Sequence, residues 1–142
     1  MDDTRPEIQL LDDRRAVAVV RVAAAAMMFI HGCYRVYDGG PPGFGGFLES
    51  KGFPFGVAIA WTLTILEIVL GMLLMAGRFV SPICAWFTFQ LVMGILLVHG
   101  KEGWFVVGGG RNGMEYSVLL ISSFVIVGAN AMRKRVTVSE PG

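Results

Sequence analysis

Four stretches of this chain are almost without charge: Ala16–Tyr34, Gly56–Gly77, Phe79–Val98 and Met114–Met132, of 19, 22, 20 and 19 residues. A helix rising about 1.5 Å per residue crosses a hydrocarbon core about 30 Å thick in about 20 residues, so each stretch is long enough to span a bilayer. Together they occupy 80 of the 142 residues, and a chain this short has too little other protein to bury four wholly apolar helices. Only 16% of the residues are charged, against about a quarter in a soluble domain. The sequence predicts an all-α integral membrane four-helix bundle of antiparallel up-down topology. Residues 14–132 form the transmembrane domain, between an N-terminal tail (1–13) and a C-terminal tail (133–142).

The 12 basic and 11 acidic residues balance to a net charge of +1, with no basic stripe to meet nucleic acid. The segment before the first stretch, Asp2–Asp13, is acid-rich, and the stretch exceeds a signal peptide's apolar region in length. It is therefore read as a retained helix. Seven basic residues, Arg5, Arg14, Arg15, Arg78, Arg133, Lys134 and Arg135, fall on the side of the termini, against four, Arg35, Lys51, Lys101 and Arg111, on the other. Cytoplasmic loops carry the basic excess, which predicts a multi-pass protein of the cell (inner) membrane with both termini cytoplasmic.

Cys33 and Cys84 lie towards opposite ends of their helices, more than about 15 Å apart by helical rise, too far for a disulfide. They read as small packed side chains, and without a C-x-x-C pair the chain lacks dithiol chemistry. The second and third stretches are joined almost directly, with Pro82 in the first turn of the third, so they form a tight hairpin. The outer connections are longer, and their runs Gly39-Gly40-Pro41-Pro42 and Gly108-Gly109-Gly110 make turns rather than phosphate cradles. Phe44, Phe47 and Leu48 have helical spacing, suited to a short amphipathic helix in the interface, and Trp104-Phe105 suits a second. Tyr34, Tyr37, Phe53, Phe55, Trp104 and Tyr116 then form an outer aromatic belt. Either these rings only set depth, or the two loops cap a cavity that opens outward.

A charge at mid-membrane costs at least about 2.5–3.5 kcal/mol, so ionisable residues inside the spans are informative. Glu67 lies near the centre of the second span and shares a face with the small residues Ala60, Thr64 and Gly71, which points it into the bundle. Arg21, five residues into the first span, is its simplest partner, and the expectation is an internal Arg21–Glu67 pair. His31, His99 and Glu115 fall at similar depth near the outer ends of three spans. Two imidazoles and a carboxylate can bind a metal, ligate haem or donate to a quinone carbonyl, or Glu115 can simply sit at a helix N-terminus. Quinone is preferred: it needs one or two donors beside an apolar slot, whereas haem needs two histidines facing across a porphyrin.

Arg21, His31-Gly32, the Gly-rich run to Gly52-Phe53-Pro54, Glu67 with Gly71, Gly77-Arg78, His99, and Gly103-Trp104-Phe105 through Gly109-Gly110 to Glu115-Tyr116 resemble the DoxX family of small four-helix membrane proteins. The resemblance covers roughly Arg15 to Met132, and Pro41-Pro42 with the long first outer loop depart from the pattern. It implies a link to quinone-coupled sulfur oxidation or oxidative stress, and association with oxidoreductase proteins. The expected function is thus the membrane subunit, or quinone-interacting partner, of a redox complex, embedded in lipid. The alternatives are a small-molecule or proton transporter component, with Glu67 titrating on a path between the faces, and a non-catalytic scaffold.

Overall fold

The computed structural model describes residues 13–107 and 112–139, with side chains to Arg133; Arg5, the Gly108-Gly109-Gly110 run and Arg111 lie outside the described residues. The elements are α1 (Asp13–Tyr37), α2 (Pro41–Ser50), α3 (Gly56–Met75), α4 (Val80–Gly94), a π-helical turn (Ile95–His99), the single turn α5 (Gly100–Glu102) and α6 (Glu115–Ser139). Four segments are long and apolar enough to cross a membrane: Asp13–Tyr37, Gly56–Met75, Val80–Glu102 and Glu115–Arg133. They pack antiparallel, as the charge-poor stretches predict. Ile30, Ile65, Leu96, Leu119 and Ile126 are more than half exposed, which suits a lipid-facing surface rather than a wet one.

The pairing of the helices positions the site. α1 lies along α3 and α4 along α6, and α1 also meets α6; α3 and α4, although separated by only four residues, touch far less. Small residues bring the close pairs together. A Cβ at Gly32 would come within 3.0 Å of Glu67 Cβ, and one at Gly71 within 3.0 Å of Phe29 Cβ, so both glycines hold α1 and α3 in one register. Across the bundle, a Cβ at Gly128 would lie 3.1 Å from Cys84 Cβ. Cys84 is buried in that α4–α6 contact, and Cys33 and Cys84 are both free thiols.

The apolar core fills only the half of the bundle that holds the chain termini. Leu74, Ile83, Phe87, Phe124 and Val127 form it, with the rings of Phe87 and Phe124 at 5.3 Å between centroids. The hairpin that closes this end turns on Gly77 at φ 74° and Phe79 at φ 50°. The left-handed backbone suits Gly77, whereas Phe79 occupies it at a cost of about 1–3 kcal/mol.

α6 runs past its apolar span through the basic residues from Arg133 as far as Ser139, since no glycine or proline interrupts the sequence before Pro141. Two local expectations change. Trp104 and Phe105 are irregular backbone, because Gly103 at φ 90° ends the short α5 turn. The third span also departs from α geometry: the Gly100 N–H bonds Ile95 O, and a Cβ at Gly100 would lie 2.8 Å from that oxygen. Glycine at 100 therefore permits the wider π turn, which ends on His99.

Candidate functional site

At the end away from the termini, the loop end, the bundle is hollow. A cavity of about 1120 Å³ reaches from Glu67 and Gln90, near the middle of α3 and α4, up to His99 and Phe44. The amphipathic helix read from Phe44, Phe47 and Leu48 is α2, and it forms the roof. Its Gly45 lies so close to α3 that a Cβ there would meet Val57 Cα at 2.5 Å. Phe44 and Phe47 stack at 6.5 Å and line the cavity. The aromatic belt divides accordingly: Tyr34, Phe53 and Tyr116 line the cavity, while Tyr37 and Phe55 point away, 88% and 80% exposed.

The floor is polar. Glu67, 1% exposed, accepts from Arg35 Nη1 at 3.2 Å and from the Gln90 amide at the same oxygen, Oε1. Arg35 Nη1 also reaches Thr64 Oγ1 at 3.2 Å, and Nη2 lies 2.7 Å from His31 Nε2. A guanidinium only donates, so His31 Nε2 is the acceptor and its ring proton sits on Nδ1. The same guanidinium lies 4.9 Å from the centre of the Phe44 ring, which ties the roof to the floor through a cation–π contact.

The expected Arg21–Glu67 pair is not formed. The register set by Gly32 and Gly71 places Arg21 about ten residues, roughly 15 Å, nearer the terminal end than Glu67. There its Nη1 donates to Leu74 O, which also accepts the Gly77 N–H, and to Met75 O at 2.9 Å, and so adds a charged donor to carbonyls at the end of α3. Arg35, which the sequence reading placed in an outer loop, takes the carboxylate instead. Its position three residues after Gly32, on the face that meets α3, is the signal that could have found it.

His31 and His99 both line the cavity, whereas Glu115 does not. The Glu115 carboxylate turns back into the loop and accepts the Val106 N–H at 2.9 Å. His99 Nδ1 lies 2.9 Å from Asn112 O and must donate to it, so Nε2 stays free beside Gly94. Among the described residues no three His, Cys, Asp or Glu side chains gather as a metal-binding group.

Three buried polar atoms of the described residues have no hydrogen-bond partner: Glu67 Oε2, Gln90 Oε1 and Trp86 Nε1. All three side chains line this one cavity. A buried polar group without a partner costs about 1–3 kcal/mol, so three on side chains that line one cavity single it out as the candidate site. Sequence reasoning passed over Gln90 and Trp86. An amide at the centre of an apolar span was the available signal.

The fold and this polar floor define a four-helix integral membrane protein with a chamber inside the bundle. The chain belongs to the DoxX family, whose model matches residues 16–100, so the match takes in α1 to α4 and His99 and leaves α6 outside. No curated protein and no solved structure matches it.

Proposed function

We propose that this DoxX protein binds a quinone-type head group on the floor of the cavity, as the membrane subunit or quinone-facing partner of a redox complex. The observation that carries the reading is the set of unpartnered atoms on Glu67, Gln90 and Trp86, side chains that line a mostly apolar chamber. A quinone oxygen accepts from Trp86 Nε1–H, and a quinol hydroxyl donates to Gln90 Oε1 or Glu67 Oε2, so two acceptors beside one donor suit the reduced form best. The chamber slightly exceeds the usual range of about 300–1,000 Å³ for ligand pockets, room enough for a substituted ring.

Haem suits these residues less well. A haem ligand needs a free imidazole nitrogen, and His31 Nε2 is already held by Arg35 at 2.7 Å. The transporter reading meets the packed layer of Leu74, Ile83, Phe87 and Phe124 between Glu67 and the terminal end. An oxidoreductase partner protein is the expectation that membership of the family brings.

The test is solvent extraction of the detergent-purified protein, with mass analysis of the extract and an absorption spectrum of the protein. A quinone at about one per chain and no Soret band is expected, with the quinone reduced at least fivefold in Trp86→Phe and in Gln90→Leu. Wild-type quinone content in both variants, or a strong Soret band lost in His31→Ala and His99→Ala, overturns the proposal.

A further inference from the structure

A second space lies against the polar floor of the cavity. On the other side of Trp86 a second apolar groove, of about 400 Å³, runs between α3 and α4 towards the terminal end, lined by Leu66, Leu70, Phe79 and Pro82 among others. Trp86 lines both spaces, so its indole is the wall that the groove shares with the cavity. The seam exists because α3 and α4, each paired with another helix, touch little beyond their turn. It opens on the outer, lipid-facing surface of the bundle at Phe79, which is 60% exposed. From Trp86 to Phe79 it is about 10 Å long by helical rise.

We infer that the seam between α3 and α4 holds the hydrocarbon tail of the ligand whose head sits on the cavity floor, so that the ligand is an amphipathic, membrane-borne molecule reaching its site sideways from the lipid. The inference rests on the proposed head-group site and adds the ligand's tail and its route. The arrangement assigns one occupant. A head that satisfies Glu67, Gln90 and Trp86 leaves its tail to an apolar space next to the floor, and this groove lies directly across Trp86. The roof at the loop end is a poorer exit, because Arg35 stands beside Phe44 there and links it to Glu67.

Two probes separate head from tail: a dimethoxy-methyl-hydroquinone without a chain, and the same head with a ten-carbon chain. Binding is measured on the full chain in nanodiscs. Wild type should bind the chained probe at least tenfold more tightly. Leu66→Trp, and independently Leu70→Phe, should remove that advantage while leaving the chainless probe unchanged. A chained probe with a terminal diazirine should label residues around Leu70 and Pro82 rather than Phe44 and Phe47. If the chainless probe binds but the chain adds nothing, or the label falls on α2, the tail assignment fails and the head-group reading stands. If neither probe binds wild type, both fail. A phospholipid recovered from wild type and lost in Leu66→Trp, with quinone content unchanged, also overturns the tail assignment.

Discussion

Arg35, near the loop end of α1, reaches back into the bundle to hold Glu67 of α3 through an Nη1–Oε1 contact of 3.2 Å, with side-chain exposures of 16% and 1%. One guanidinium thereby joins Glu67 and Thr64 on α3, His31 on its own helix and the ring of Phe44 on α2. The floor of the chamber and its roof are parts of one polar assembly, and disturbing the pair should affect both.

Removing one member of this pair should cost more than neutralising it. Arg35→Met leaves the Glu67 carboxylate without its cation and is expected to destabilise by about 3 kcal/mol, as for a broken buried pair. Glu67→Gln keeps an acceptor for Arg35 and should cost about half as much, and Glu67→Leu should resemble Arg35→Met. Unfolding in detergent with increasing denaturant measures all three, and equal losses for Gln and Leu at position 67 would contradict the pairing.

Arg21 serves a different end of the bundle. Arg21→Gln should lower stability by about 1–2 kcal/mol, because the carbonyls of Leu74 and Met75 lose a charged donor at the end of α3. Extracted quinone per folded chain should stay at the wild-type level. Loss of ligand at unchanged stability would place Arg21 in the site after all.

The glycines give a paired test of packing. Gly32→Ala puts a Cβ at 3.0 Å from both Glu67 Cβ and Ile68 Cγ1, and should cost about 1–3 kcal/mol by forcing α1 from α3. In α2, a Cβ at Gly43 would meet nothing within 4 Å, so Gly43→Ala should stabilise by about 0.5–1 kcal/mol through backbone entropy. Thermal unfolding of the two variants in the same detergent should move in opposite directions.

The basic residues predict an orientation with the terminal end in the cytoplasm. With Arg35 drawn into the bundle, Lys51 and Lys101 are left at the loop end among the described residues, against Arg14, Arg15, Arg78 and Arg133 at the terminal end. In a Cys33→Ala background, an impermeant thiol reagent added to intact cells should label Lys51→Cys and leave Ser139→Cys unlabelled. Labelling only at position 139 would invert the orientation.

Much of the fold was legible because lipid imposes a length rule: a spanning helix must be about 20 residues long and nearly free of charge, and charge is visible residue by residue. The same economy pointed Glu67 inward and put His31 and His99 near one end. Phe44, Phe47 and Leu48 likewise marked α2 through their spacing alone.

The partner of Glu67 was not legible, because it depends on the register between α1 and α3. That register is set where Gly32 and Gly71 let the backbones meet, a contact between residues far apart in sequence, and it shifts the cation from Arg21 to Arg35. The π turn at Ile95–His99 and the inward turn of Glu115 towards Val106 depend in the same way on local backbone that no periodicity encodes. The hollow itself was decided by tertiary pairing. Once α1 takes α3 and α4 takes α6, the helices joined by the shortest connection touch little, and space remains beside Glu67, Gln90 and Trp86. Hydropathy determines that a segment enters the membrane, but neighbours there compete on close packing and a few polar contacts worth about 0.6 kcal/mol each, which only the assembled bundle resolves.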